Sequence, residues 1–182
     1  MTTAHTAPEH VRDAAPVSDP SWTVGRPRAG DGAQLWRLAR ESGTLDVNSS
    51  YSYLLWCRDF ADTSAVARAE DGRPVGFVTG YLRPDAPGTL LVWQIAVDAA
   101  YRGLGIAGAL LDHLSERVAG TRPLDAVETT ITPDNEASER LFGAYARRHG
   151  ARVSRTVLFP SAAFPAPGHE AEVLHRIAPL AF

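Results

Sequence analysis

A glycine-rich segment between an apolar stretch and an amphipathic stretch constrains this sequence more than any other feature. The segment is residues 101–108, YRGLGIAG, with glycines at positions 103, 105 and 108. Residues 89–97 before it, TLLVWQIAV, are almost entirely apolar and predict a central strand buried on both faces. After it, leucines and a valine recur at helical spacing: Leu110, Leu111, Leu114 and Val118. A helix that begins at glycines presents unpaired backbone N–H groups and a positive dipole end, so the segment predicts an anion site.

The segment itself leaves three interpretations open. It fits the G-x-G-x-x-G pattern of dinucleotide sites, and Glu128, 20 residues past Gly108, lies where a ribose-binding acid is expected. Against that interpretation, five residues (DAAYR) separate Val97 from Gly103, and only one βαβ unit can be found. The segment also fits the pattern Arg/Gln-x-x-Gly-x-Gly/Ala from Arg102 onward, which favours another phosphate carrier. The third interpretation is a tight turn without a ligand.

Composition restricts the class of protein. The chain has 182 residues and a formal net charge of −3, and without a basic cluster it gives no reason to expect nucleic-acid binding. No apolar run approaches the ~20 residues that span a bilayer, so no membrane association is expected. The single cysteine, Cys57, excludes an intrachain disulfide and a Cys-based zinc site, and with no signal-peptide pattern it favours a cytoplasmic protein. Residues 1–20 predict a disordered tail, which leaves 21–182 as one domain.

The remaining patterns predict an α/β fold. Besides residues 89–97, strands are expected at 21–28, 64–70, 74–82, 126–132, 152–159 and 170–178. A helix capped by Asp31 is expected to run to about Ser42, and an apolar helix is expected within residues 43–60. Two further helices follow the glycine segment and the Thr132–Pro133 pair. The order predicts one mixed sheet with helices on both sides.

These elements, arranged around RGLGIA, resemble the GNAT superfamily of N-acetyltransferases over residues 21–178. The resemblance implies the acyl-CoA N-acyltransferase fold, a mixed and mostly antiparallel sheet with a central splayed strand pair and helices on both faces. It implies acetyl-CoA as cosubstrate and no metal. The residues that it assigns to the cofactor are Ile95, Ala96, Val97, Arg102, Gly103, Leu104, Gly105, Ile106, Ala107, Gly108 and Asn135. The family often has a tyrosine acid seven residues after that asparagine, where this chain has Phe142, and Tyr145 is not assigned in its place.

A second informative block, TLDVNSSYSYLLWCRDFADT, begins at residue 44. Alone it fits a capped helix start with half-buried tyrosines. Together with VWQIAV, ETTITPDNEAS and HEAEVLHRI, in this order and spacing, it resembles the L-2,4-diaminobutyrate acetyltransferases of ectoine biosynthesis. The resemblance implies acetyl transfer from acetyl-CoA to the side-chain amine of L-2,4-diaminobutyrate, which gives N4-acetyl-diaminobutyrate, a precursor of the compatible solute ectoine. It also implies a homodimer.

The implied reaction requires particular side chains. An alkyl amine with a pKa of about 10.4 is almost entirely ammonium at neutral pH, and a base must take its proton before it attacks the thioester. Glu172 is the expected base, with His169 as helper or alternative. Asp46 is expected to bind the α-ammonium group. The other expected substrate contacts are Asn48, Tyr51, Tyr53 and Trp93.

Each of these residues also has an interpretation without a function. Trp93 fits a core position of a central strand, Glu172 a solvent-facing strand start, and His169 a turn after Pro167–Gly168. Two other functions stay open on the sequence. One is a GNAT enzyme for another small amine or a peptide N-terminus, and the other is a binding module that holds acyl-CoA without catalysis.

Overall fold

A seven-stranded sheet forms the centre of the computed structural model, which describes residues 21–165 and 168–182. Its strand order is β1-β2-β3-β4-β5-β7-β6; β4 and β5 are parallel, and every other neighbouring pair is antiparallel. The strands are β1 (Trp22–Gly25), β2 (Ala65–Ala69), β3 (Pro74–Arg83), β4 (Ala86–Val97), β5 (Ala126–Ile131), β6 (Arg152–Phe159) and β7 (Glu172–Ala178). The tail expected at residues 1–20 lies outside the described residues.

Helices cover both faces of this sheet, as the sequence predicts. They are α1 (Gly32–Ser42), α2 (Ser50–Asp59), α3 (Ile106–Ala119) and α4 (Glu136–Arg148). On β2, Ala65 and Ala67 contribute to the core with α3 and α4, whereas Val66 contributes to the core with α1 and α2. Successive strand residues point to opposite faces, so the two helix pairs enclose the sheet from opposite sides. None of the helices in the described ranges is long and apolar enough to cross a membrane.

The central strands β4 and β5 pair over three positions and then separate. Residues 89–91 lie beside residues 126–128, although β4 continues to Val97 and β5 to Ile131. β4 also contains an extra residue, because Gln94 lies opposite Thr79 and Val92 lies opposite Gly80, which leaves Trp93 as a bulge. A bulge bends a strand and redirects its side chains. The parted strands confirm the splayed pair and the fold class expected from the sequence.

The start of α4 and the capping bond of α1 differ from the sequence prediction. The side-chain oxygen of Asn135 accepts the backbone N–H of Ser138 at 3.1 Å, so α4 begins at Glu136 and not at the earlier proline. Asp31 precedes α1 but makes no capping bond with its side chain. Its carboxylate instead accepts two hydrogen bonds from the Arg68 guanidinium, at 2.7 and 2.8 Å. A charged partner on β2 therefore takes the acceptor that would cap the helix.

Three strand boundaries also differ from the sequence prediction by two or more residues. β1 ends at Gly25, three residues earlier than expected, β4 begins at Ala86, three residues earlier, and β7 begins at Glu172, two residues later. Asp71 and Gly72 lie in the turn between β2 and β3, where Gly72 has a positive φ of 82°.

Candidate active site

The glycine segment forms the N-terminus of α3. Gly103 and Gly105 have φ values of 83° and 75°, a left-handed conformation that side chains other than glycine rarely adopt. The first helical hydrogen bond runs from the N–H of Ala109 to the carbonyl of Gly105, so the N–H groups just before Ala109 have no partner inside the helix. Open space adjoins both left-handed glycines where a Cβ would stand. This geometry suits a phosphate.

Arg102 connects this loop to the end of the splayed strand. Its Nε donates to the carbonyl of Val97 at 3.3 Å, and the side chain is exposed. Ile95, Ala96 and Val97 form the end of β4 that lies beyond its pairing with β5, so that edge of the strand is open to a ligand backbone. Apart from Asn135, which precedes α4, the residues that the resemblance assigns to the cofactor lie between the end of β4 and the start of α3, and their binding role stays a prediction.

A cavity of about 610 Å³ lies beside the parted strands. Five predicted site residues border it, namely Asp46, Trp93, Asn135, His169 and Glu172. They come from the loop before α2, from β4, from the start of α4 and from the start of β7. The fold therefore brings together residues that are more than 120 positions apart in the chain.

The cavity is acidic. Five carboxylate side chains border it: Asp46, Glu128, Asp134, Glu170 and Glu172. Among the described residues that border it, Arg83 is the one with a permanent positive charge. Such a lining favours a ligand with more than one positive charge. No group of three potential metal ligands occurs within residues 21–165 and 168–182.

His169 contacts two residues of the acidic lining, Asp46 and Glu170. Its Nδ1 lies 2.6 Å from the carbonyl of Glu170, which can only accept, so Nδ1 carries the proton. Its Nε2 then faces the Asp46 carboxylate at 3.7 Å. The ring stacks on Phe164, with 3.6 Å between centroids and 8° between planes.

Three groups raise the pKa of His169 above 6.5: first the bond to Glu170, then the negative charges of Asp46 and Glu172; burial acts in the opposite direction. Glu172 and His169 also border the same cavity. A half-buried carboxylate and a histidine with a basic Nε2 can together take a proton from a bound cation. That is the chemistry this arrangement supports.

Comparison with known proteins agrees with this geometry. A family model described as the acetyltransferase (GNAT) family matches residues 32–146. The chain belongs to the GNAT acetyltransferase family. A curated relative from Streptomyces coelicolor, L-2,4-diaminobutyric acid acetyltransferase, is 63% identical over 157 residues, which are 86% of this chain and 92% of the relative. A protein of the same name from Nocardia farcinica is 49% identical and covers 95% of this chain and 92% of its own.

A solved structure gives the same result. It is diaminobutyrate acetyltransferase EctA from Paenibacillus lautus, in complex with its substrate L-2,4-diaminobutyric acid and coenzyme A. It is 38% identical to this chain, with a TM-score of 0.83, and the match covers 90% of this chain and 98% of that one. Ard1 from Thermoplasma volcanium, at 19% identity and a TM-score of 0.69, shares the fold. Within the GNAT family, this acetyltransferase therefore belongs with the diaminobutyrate acetyltransferases.

Three expected substrate contacts of this acetyltransferase lie away from the cavity lining, as far as the described residues define it: Asn48, Tyr51 and Tyr53. Tyr51 is 65% exposed at the start of α2. Tyr53 is 1% exposed and packs in the core, with its ring at right angles to that of Phe77. Burial raises the pKa of Tyr53, and groups of Asn48 and Gln94 act against that rise. Tyr53 therefore does not border the cavity itself, but its hydroxyl bonds to Gln94, which does.

The position of the common family acid is also buried. Phe142 is 2% exposed, and Tyr145, one turn further along α4, is fully buried. The Tyr145 hydroxyl donates to Ser115 Oγ at 2.7 Å, and burial raises its pKa to about 12. Tyr145 thus bonds within the core, and no catalytic role is assigned to it.

Sequence reasoning missed the ion cluster at the far side of the cavity. Glu128 is 2% exposed and accepts hydrogen bonds from Arg83 at 3.0 Å and from Arg176 at 2.6 Å. These residues lie on β5, β3 and β7, so the cluster links three strands near the point where β4 and β5 part. An acid inside the otherwise apolar and β-branched run AVETTIT was a signal, because a buried carboxylate needs a charged partner.

Proposed function

We propose that this acetyltransferase transfers the acetyl group of acetyl-CoA to the side-chain amine of L-2,4-diaminobutyrate. The product is N4-acetyl-L-2,4-diaminobutyrate, a precursor of ectoine in osmoadaptation. The observation that carries the proposal is the meeting of Asp46, His169 and Glu172 at one acidic cavity beside the parted strands. The substrate has two ammonium groups and one carboxylate, and its net positive charge suits that lining.

In this proposal the substrate is oriented by its charges. The Asp46 carboxylate binds the α-ammonium group, and the bulged Trp93 forms a wall for the short carbon chain. Trp93 is 50% exposed, so its indole is available to a ligand. With the α-ammonium group held at Asp46, the side-chain amine is the one that can approach the splayed strands. This arrangement gives a reason for acetylation at N4.

The proton of the side-chain ammonium is taken by Glu172, with His169 Nε2 as helper or alternative acceptor. Removal of this proton exposes the nitrogen lone pair that attacks a thioester carbon, and general-base catalysis of this kind contributes about 10²- to 10⁴-fold to the rate. The pKa of His169 is raised, so its neutral imidazole is a stronger base than an ordinary histidine. Activity is therefore expected to rise as pH passes upward through the pKa of His169.

The proposed contacts with the coenzyme come from the end of β4, the start of α3 and the residue before α4. N–H groups at the start of α3 bind the pyrophosphate, with Arg102, Gly103, Leu104, Gly105, Ile106, Ala107 and Gly108 around it. Backbone groups of Ile95, Ala96 and Val97 pair with the pantetheine arm, and Asn135 approaches it from the start of α4. Acetyl-CoA supplies an activated acyl carbon. N–H groups at the strand splay can hold the carbonyl oxygen as it gains negative charge.

The test is thiol release from acetyl-CoA with five amines: L-2,4-diaminobutyrate, L-ornithine, L-lysine, spermidine and a short peptide. Ornithine is the matched control because it is one methylene longer. We expect release with diaminobutyrate well above the others, and nuclear magnetic resonance of the product to place the acetyl group on N4. Preference for another amine would leave an acetyltransferase with a different substrate. Cofactor binding without release from any amine would leave the non-catalytic binding module.

A homodimer in the cytoplasm is part of the proposal. The edge strand β6 exposes Val157, Leu158 and Phe159 by 57%, 41% and 49%, an apolar surface suited to a second copy. Light scattering is expected to give twice the 19.6 kDa mass of the chain, and a monomer at micromolar concentration would contradict this. Cys57 is buried and its pKa is raised to about 12, which suits a thiol that stays reduced.

A further inference from the structure

We infer that Gln94 and Tyr53 are positioning residues that hold the Asp46 loop, residues 43–49, against the central strand. The Tyr53 hydroxyl donates to Gln94 Oε1 at 3.0 Å, and Gln94 Nε2 donates to the backbone carbonyl of Asp46 at 2.8 Å. The three residues lie on α2, on β4 and in the loop between α1 and α2. The chain of two hydrogen bonds therefore runs from the helical core to the acidic cavity.

Chemistry fixes the direction of this chain. The Asp46 carbonyl can only accept, so the amide nitrogen of Gln94 must face it. The amide oxygen then faces Tyr53, whose hydroxyl must be the donor. A rotation of the Gln94 amide by half a turn would bring two oxygens together at Asp46. Tyr53 thus keeps Gln94 in the one orientation that binds the loop.

Burial makes the two bonds costly to lose. Gln94 is 5% exposed and Tyr53 is 1% exposed, so an amide or hydroxyl left without its partner cannot turn to bulk water. The ring of Tyr53 is itself held edge-on by Phe77, with 6.3 Å between centroids. The two bonds therefore connect the loop to buried residues of the core.

The loop needs such an anchor because it lies outside helices and strands. The Asp46 side chain is 90% exposed, and its contact with His169 Nε2 is long, at 3.7 Å. Its own side chain therefore contributes little to holding it in place, and the backbone bond from Gln94 sets where the carboxylate stands. This inference rests on the proposed function wherever it concerns the binding of diaminobutyrate.

The variants Gln94→Leu and Tyr53→Phe test it. Gln94→Leu removes both bonds, and Tyr53→Phe removes one without changing the packing of the ring. The matched control is Gln34→Leu, because Gln34 on α1 also donates to a backbone carbonyl, that of Pro74, at 3.2 Å. We expect Gln94→Leu to raise KM for diaminobutyrate about tenfold and Tyr53→Phe about threefold, in line with the loss of one or two buried hydrogen bonds. The affinity for acetyl-CoA, measured by calorimetry, should change less than about twofold, as it should for any loss confined to the amine subsite.

Two further measurements separate positioning from general damage. In an Asp46→Ala background, Gln94→Leu should have little further effect on KM for the amine, because the two residues act through one loop. Hydrogen exchange of residues 44–49, followed by mass spectrometry without any substrate, should become faster in Gln94→Leu and stay unchanged in Gln34→Leu.

The outcomes are distinct. Equal loss of amine and acetyl-CoA binding, additive effects with Asp46→Ala, or unchanged exchange of the loop would each overturn the positioning role. If the unaltered protein does not acetylate diaminobutyrate, the proposed function fails, and the exchange measurement still decides whether Gln94 holds the loop. If Gln94→Leu does not fold, Tyr53→Phe carries the same comparison.

Discussion

Replacing Glu128 with glutamine measures what the buried ion cluster contributes to the wall of the cavity. The Glu128 side chain is 3% exposed, whereas Arg83 and Arg176 are 33% and 40% exposed. Breaking a buried ion pair costs about 3–5 kcal/mol of unfolding free energy when the remaining charge stays buried. Because both arginines can regain water, we expect Glu128→Gln to cost about 2 kcal/mol.

Thermal unfolding followed by circular dichroism tests this value. For a chain of this length about 2 kcal/mol corresponds to a fall in Tm of about 4–8 °C. The control is Glu136→Gln, which removes a carboxylate from the exposed Arg140 pair, whose side chains are 71% and 80% exposed. That pair should contribute no more than about 0.5 kcal/mol. If the two variants lose the same stability, the cluster is not a structural link between β3, β5 and β7.

Three further changes probe other parts of the molecule. Glu172→Gln should lower kcat about 10²-fold or more with the acetyl-CoA affinity unchanged, and stopped-flow assays that find a normal kcat would remove Glu172 from proton transfer. Gly105→Val should abolish acetyl-CoA binding in calorimetry, because the valine side chain fills the open space beside α3. The control Gly72→Val, at a similar φ of 82° in the β2–β3 turn, should bind acetyl-CoA normally. If both variants bind acetyl-CoA, the phosphates lie elsewhere. Burial is the largest single influence on the Asp31 carboxyl and raises its pKa, but hydrogen bonds and charges, chiefly those of Arg68, bring the pKa below 3.8. The ion pair therefore stabilises the fold above pH 3.8 and ceases to do so as pH falls through the lowered pKa. The difference in Tm between the unaltered protein and Asp31→Asn should therefore be full at pH 7 and shrink below about pH 4; a constant difference would contradict the ion pair.

The fold could be predicted from the sequence because its central segment is continuous in the chain. An apolar strand, two glycines and an amphipathic helix follow one another from β4 to α3, and each has a recognisable sequence pattern. The start of α4 was harder to predict, because Pro133 and Asn135 both suit a helix start. The hydrogen bond between Asn135 and Ser138, which decides between them, is known only from the structure.

The site was harder to predict because its residues meet only in the folded chain. The grouping of Asp46 with His169 came from the resemblance, since no spacing rule joins a loop before α2 to the start of β7. Tyr53 shows the limit of such inference: a tyrosine has the same helical pattern whether it faces a core or a cavity. The bulge at Trp93 interrupts the period-two alternation of β4, so the burial of Gln94 could not be read from its position.

The acidic lining of the cavity also affects the release of product in the proposed reaction. Acetylation converts an ammonium group into a neutral amide, so the product carries one positive charge fewer than the substrate. The same five carboxylates that attract diaminobutyrate therefore hold its acetylated form less strongly, and the chemical step itself promotes product release. Added salt, which screens charges over about 8 Å at physiological strength, should weaken capture of the substrate more than retention of the product.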